Sequence, residues 1–207
     1  MIFLSSLLLA ISINLTALQV SLDYKLKNIH LPRFIVLLTT IITTLGTLLS
    51  MYLGKFILIF FEPKLGNIFG AVLLSFTGIY FISENIRLQK QHSGFDTSYY
   101  FESALQYKII IENPSIIDLD KSKHIDIMEC INLSIALILN TICTTFAAGI
   151  TGININLSVF FYFIISIFFL YFGSFSFKFN ISKYLYKNGN LVCGIILILL
   201  GIYEAFI

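Results

Sequence analysis

Asp118-Leu-Asp120-Lys-Ser122-Lys123-His124-Ile-Asp126-Ile-Met-Glu129 runs without a break into an apolar stretch, Cys130 to Ile150, that carries Asn140, Thr141, Cys143, Thr144 and Thr145. The first part has oxygen-bearing side chains at positions 1, 3, 5, 9 and 12 (Asp118, Asp120, Ser122, Asp126 and Glu129), the ligand spacing of an EF-hand calcium loop. The same carboxylates also suit a helix N-terminus, because they favour the positive end of the helix dipole. The second part is long enough to cross a bilayer yet holds polar side chains at its middle. Lipid makes such groups costly there, and they usually mark a site.

Composition sets the class in which this stretch must be understood. The 207-residue chain is 57% hydrophobic and 12% charged, against roughly 25% charged in an ordinary soluble domain. It has 21 Phe, 11 Tyr and no Trp, and its mean hydropathy is +0.91. These values describe one membrane domain. A net charge of +2 gives no argument for a nucleic-acid partner. The three cysteines, Cys130, Cys143 and Cys193, lie in or beside apolar runs, without metal-ligand or disulfide spacing, and read as small apolar fillers.

Six apolar runs have bilayer length: about Phe3–Leu22, Ile35–Leu53, Gly66–Ile82, Ile131–Ile150, Leu157–Phe177 and Asn190–Ile207. No Lys or Arg precedes the first and no small-residue cleavage site follows it, so it reads as a span and not as a signal peptide. This divides the chain into a first three-helix unit (1–86), a polar loop (87–128) and a second three-helix unit (129–207). With the N-terminus outside, the inner loops would hold eleven of the 13 basic residues, leaving Lys55 and Lys64 outside. The positive-inside rule then places both termini outside and the long loop in the cytoplasm.

An internal repeat is also visible. Gly66-Asn67, Leu74 and Gly78-Ile79-Tyr80 match Gly189-Asn190, Leu197 and Gly201-Ile202-Tyr203 at a constant offset of 123, six identities in seventeen positions. Tyr52-Leu-Gly54 echoes Tyr171-Phe-Gly173 in the preceding span of each half. Three spans per half is odd, so the second unit is expected upside down relative to the first. Inverted repeats of this kind recur in transporters, whose sites lie at the repeat interface near the midplane.

Helical phase sorts the polar residues. Ser5, Ser12, Thr16, Gln19 and Asp23 share one face of the first span, and Asn14 points away from it. Ala136, Asn140, Thr144, Ala147 and Thr151 share a face of the fourth, and Thr39, Thr43, Gly46, Ser50 and Gly54 a face of the second. Small and hydroxylic stripes let membrane helices pack closely, and the Thr39 stripe reads that way. Amides deep in a span are expensive without partners, which singles out Gln19 and Asn140. Glu204, close to the chain end, is expected to reach out to the surface.

Ile11-Ser-Ile-Asn14-Leu-Thr16-Ala-Leu-Gln19-Val with Tyr24-Lys-Leu-Lys-Asn-Ile, the Asp118–Glu129 loop, Asn140, Thr151-Gly-Ile-Asn-Ile155 and Gly194-Ile-Ile-Leu-Ile-Leu-Leu-Gly-Ile-Tyr203 resemble the YtaF family of sporulation membrane proteins. That family is similar in turn to the MntP-type manganese exporters of the LysE-like transporter group. The resemblance covers nearly the whole chain outside about Leu88–Tyr107. It implies an all-α membrane protein of six transmembrane helices arranged as two inverted three-helix repeats, in the cytoplasmic membrane of a sporulating bacterium. It implies a divalent cation of the manganese type as the species handled, and the spacing of the acidic loop adds calcium as the alternative cation.

Two departures bear on that expectation. MntP-type exporters carry an Asp in the first and fourth spans, at positions that fall here on Thr16 and Asn140. The sixth position of the acidic loop, where the turn favours Gly, is Lys123, which must adopt a left-handed backbone at about 1 kcal/mol or more. By phase and resemblance together, Thr16 and Gln19 are expected to face Asn140 and Thr144. Scattered histidines and the lack of a phosphate loop or nucleophile–base arrangement argue against an enzyme. The chain therefore reads as a small-cation transporter or a derivative of one, with the bilayer and a cation as partners. The alternative is a membrane scaffold that binds a second copy or another membrane protein.

Overall fold

A computed structural model describes residues 2–60, 62–92, 110–111, 117, 122–175 and 180–206. Among these, six helices are long and apolar enough to cross a membrane. They are α1 (Ile2–Leu26), α2 (Arg33–Leu58), α3 (Pro63–His92), α4 (Ile127–Ile150), α5 (Ile155–Phe175) and α6 (Asn180–Ala205). The described part of the chain is thus helical throughout its long elements, and its burial pattern makes it a multi-pass membrane protein: the exposed side chains of the helices include large apolar ones, Phe34, Leu49, Phe76 and Phe168 among them, as lipid requires.

The ends of the helices follow local chemistry. α1 closes in a Schellman motif. Asn28 takes the left-handed conformation at φ +57, Ile29 donates to the Tyr24 carbonyl at 2.8 Å and Asn28 to that of Lys25 at 3.2 Å. Tyr24 and Ile29 are buried in the same apolar cluster, the hydrophobic contact that accompanies this cap. α3 begins on Pro63, whose missing N–H is an orphan position in any case. α4 ends at Ile150 with Thr151 as its cap, and Gly152, φ +75 with open space around it, follows.

Two helices are longer than their apolar runs. α3 continues through His92, well beyond Ile82, and α6 starts at Asn180 and not at Asn190. The extra turns pack on each other: Asn85 donates to the Lys187 carbonyl at 3.1 Å, and Gln89 to the Asn188 side chain at 2.8 Å. Hydropathy registers only the lipid-length part of a helix, so amide-to-amide packing past that length leaves no apolar signature. Glu204 also differs from expectation. It is buried, and its backbone carbonyl accepts the Asn67 amide at 2.8 Å, because α6 lies tight against α3 there.

The main helix pairs are α3 with α6, α2 with α4 and α1 with α5; α1 with α6, α2 with α5 and α3 with α4 make further contacts, and α1 touches α4. Successive contacts give the directions. Thr39–Cys130 and Ser50–Ile142 run the same way along α2 and α4, as do Asn14–Tyr162 and Ser21–Leu170 along α1 and α5. Asn67–Glu204 and Asn85–Lys187 run opposite ways along α3 and α6. These directions fit strict up-and-down alternation of six crossings. α1 and α4 are the inner helices, with 67% and 61% of their spans buried against 28% for α5.

Backbone approach at small residues holds the pairs. A Cβ on Gly149 would overlap the Met51 carbonyl, and one on Gly54 the Phe146 carbonyl. Gly78 and Gly194 stand in the same relation, each against the other's carbonyl. The Thr39 stripe is a packing face, as its residue types suggest: Gly46 meets Ile138, and Ser50 donates to the Ile142 carbonyl at 2.9 Å. Cys130 and Cys193 are buried fillers, whereas Cys143 is exposed.

Gly149→Ala should therefore destabilise the protein by about 1–3 kcal/mol, the usual cost of overpacking. Gly152→Ala, which meets no neighbour, should cost only the left-handed backbone, about 1 kcal/mol. Unfolding midpoints in mixed micelles compare the two; equal shifts would show that α2 and α4 are not held backbone to backbone.

Candidate functional site

The polar face of α1 is buried and shared among three neighbours. Thr16 reaches α4, where the Asn140 side-chain amide donates to its hydroxyl at 3.3 Å. Thr16 is fully buried and Asn140 half-buried, on the two inner helices of the bundle. Thr144, one turn further along α4, is buried too. Of the four residues that phase and resemblance together set face to face, the structure thus joins Thr16 and Asn140.

Gln19 goes elsewhere. Its amide donates to the Tyr186 carbonyl of α6 at 3.2 Å. The reason lies in α6, where Asn188 leaves the helical region (φ −121, ψ 15) and interrupts the helix. Carbonyls beside the break accept side-chain amides from two other helices: Tyr186 from Gln19 of α1, Lys187 from Asn85 of α3. Unsatisfied carbonyls are not tolerated in an apolar bundle, so a break recruits the nearest amides. Gly189, next to the break, is where Gln19 lies closest; a Cβ there would strike the Gln19 side chain.

One turn further along the same face sits Asp23, 4% exposed. Its carboxylate accepts the Tyr186 hydroxyl at 3.1 Å and pairs with the Lys27 ammonium at 2.9 Å. Helical phase puts Asp23 on the Thr16–Gln19 face but does not mark it as a site residue. The missing signal was the partner on α6, which no local pattern reveals.

The acidic segment is seen in part. Asp118 and Asp120 lie outside the described residues. Lys123 does hold the left-handed conformation, φ +62. Ser122 turns on its own loop, donating to the His124 carbonyl at 2.9 Å and accepting from the His124 N–H at 3.2 Å. Asp126 caps α4, and Glu129 accepts the Asp126 N–H at 3.0 Å, completing a capping box. Two of the five candidate ligands therefore serve the helix N-terminus. Among the described residues no three His, Cys, Asp or Glu side chains gather as a metal-holding group.

This segment is also docked. His30 donates to the Lys123 carbonyl at 2.8 Å and Ile125 to that of His30 at 3.4 Å, and the His30 and His124 rings stack at 5.8 Å. The α1–α2 turn and the segment leading into α4 thus share one end of the bundle.

Comparisons of the chain with protein-family models, with curated proteins and with solved structures find no match. The class rests on the molecule itself, an all-helical multi-pass membrane protein whose inner helices meet through polar side chains.

A double-mutant cycle tests the inner contact. Thr16→Val and Asn140→Leu should couple by on the order of 0.5–1 kcal/mol, the size of hydrogen bonds between membrane helices. Additive losses of stability would show that the two side chains do not depend on each other.

Proposed function

We propose that this protein is a membrane transporter of the small-cation type, built as two inverted three-helix repeats and resembling the YtaF family, whose midplane contact has lost its charge. The observation that carries the reading is the Asn140–Thr16 hydrogen bond between the two inner helices. Transporters of inverted-repeat construction place their site where the repeats meet. Here equivalent helices, α1 of one half and α4 of the other, meet through polar side chains.

The pairing of the helices supports the repeat. Exchanging the halves (α1 for α4, α2 for α5, α3 for α6) turns the α2–α4 pair into α5–α1 and the α1–α6 pair into α4–α3, and all four are in contact. Individual residues follow the same rule. Gly78 packs on Gly194 and Ile198; shifted by the repeat offset of 123, these become Gly201 on Ala71 and Ser75, and Gly201 packs on both. Up-and-down alternation makes α1 and α4 run in opposite directions, as inversion requires.

The orientation follows from charge. The docked turns carry Lys27 and Lys123 at one end of the bundle, joined by the His30–Lys123 hydrogen bond. By the positive-inside rule that end is cytoplasmic, and both termini are outside. Reporter fusions after Arg87 should read cytoplasmic and fusions after Phe206 external; a cytoplasmic C-terminus would reverse the orientation.

Thr16 and Asn140 satisfy one another without a negative charge, so the contact offers little to offset the dehydration of a divalent ion. That favours low flux, and it is also what a scaffold that kept the fold after losing transport would show. In liposomes, the unaltered protein should move manganese and calcium slowly. Thr16→Asp with Asn140→Asp should raise the flux. Equal flux from both proteins would refute the charge argument. No flux from either would leave the scaffold reading.

A further inference from the structure

α2 has two faces. Met51 and Gly54 are buried, and Gly54 and Gly149 bring the backbones of α2 and α4 together there. The other face is uncovered near the C-terminal end of the helix, where Leu49, Leu53, Phe56 and Ile59 are 59% to 75% exposed. These residues, with Tyr52 and Lys55, line a groove of about 830 Å³, within the roughly 300–1,000 Å³ of small-ligand sites. From Leu49 to Ile59 the helix rises about 15 Å, half of the roughly 30 Å apolar thickness of a bilayer. The groove thus has the length of one leaflet's acyl chains. It lies at the end of α2 away from the His30–Lys123 turn.

Charge decides among the occupants. Lys55 is exposed, and no carboxylate among the described residues pairs with it. Tyr52, three residues earlier, is its neighbour on the helix surface. Both side chains are of the kind that keep an apolar body in lipid and a polar tip at the headgroups. A second copy seated on this face would bury each Lys55 with no carboxylate in the groove to receive it. A zwitterionic lipid would set its own cation beside the Lys55 ammonium. An anionic phospholipid brings a phosphate with no cation attached, and its acyl chain matches the apolar wall.

We propose that the outward face of α2 is a binding site for one anionic phospholipid. An acyl chain lies along Leu49, Leu53 and Phe56, and the headgroup phosphate accepts hydrogen bonds from the Lys55 ammonium and the Tyr52 hydroxyl. The site is separate from the Thr16–Asn140 contact and holds whether or not the bundle moves a cation. Lys55 also suits the negative end of the α2 dipole, standing in its last turn. That role needs no lipid, so a readout of lipid contact separates the two.

The chain has no Trp, so Phe56→Trp gives a single emitter in the groove and Phe168→Trp one on the lipid face of α5. The full-length variants are reconstituted in phosphatidylcholine bilayers that contain rising fractions of brominated phosphatidylglycerol or brominated phosphatidylcholine. Emission of Phe56→Trp should be quenched at a several-fold lower fraction of the anionic lipid, and Phe168→Trp should be quenched equally by both. Adding Lys55→Gln should abolish the preference, adding Lys64→Gln should keep it, and soluble glycerol phosphate should not compete. Equal quenching of Phe56→Trp by the two lipids would overturn the proposal, as would a preference that survives Lys55→Gln. The same preference at Phe168→Trp would show a general charge effect and no site. Competition by glycerol phosphate would assign Lys55 to a free phosphate. Quenching that falls as the protein is concentrated at fixed lipid composition would assign the face to a second copy.

Discussion

Inside an assembly of helices surrounded by lipid, a polar group can be satisfied only by another helix or by its own backbone. Most of this bundle answers to that constraint. The threonines of α2 donate back to carbonyls one turn earlier, at 2.8 Å for Thr39 and Thr40. Ser50 and Ser21 reach across to carbonyls of α4 and α5. The amides of Gln19 and Asn85 close the carbonyls at the break in α6. Each reach requires close backbones, and close backbones require Gly54, Gly78, Gly149 and Gly194 where they stand. Small residues and polar residues are one device here: the first permit the distance, and the second use it.

The same constraint explains where charge is placed. The Thr16–Asn140 contact is neutral, and the buried carboxylate on the polar face of α1, Asp23, lies near the end of the helix, where it pairs with the part-exposed Lys27. Along α1 the polar line therefore runs from a neutral contact with α4, through a helix break in α6, to a charged pair at the C-terminal end of α1. The acidic segment before α4 has a second use that calcium-loop spacing does not convey. Glu129 and Asp126 close the first turn of α4, and His30 and Lys123 tie that turn to the end of α1.

Several readings of single stretches carried over because they depend on short-range chemistry. The run from Cys130 to Ile150 is one helix, led in by a carboxylate cap, because hydropathy and capping act within a few residues. The stripe from Thr39 to Gly54 is a packing face for a similar reason: side-chain size at helical spacing decides how near another helix can come. The ends of α3 and α6 were less legible. The C-terminal turns of α3 and the N-terminal turns of α6 are held against each other by Asn85, Gln89 and Asn188, and an amide's partner on a distant helix leaves no local trace.

The amino-acid sequence by itself determined that six apolar helices form, which faces of α1 and α4 are polar, and that Lys123 must stand in the left-handed region if its loop is to turn. Those properties belong to one residue or one helix at a time. Only the tertiary structure decided that Asn140 meets Thr16 while Gln19 turns to α6, that Glu204 is buried, and that Asp23 lies between Tyr186 and Lys27. A helix face can be computed from phase. Which of several neighbours occupies that face depends on where the backbones approach and where one of them breaks, and beside the break at Asn188 Gln19 bonds to α6 instead of α4.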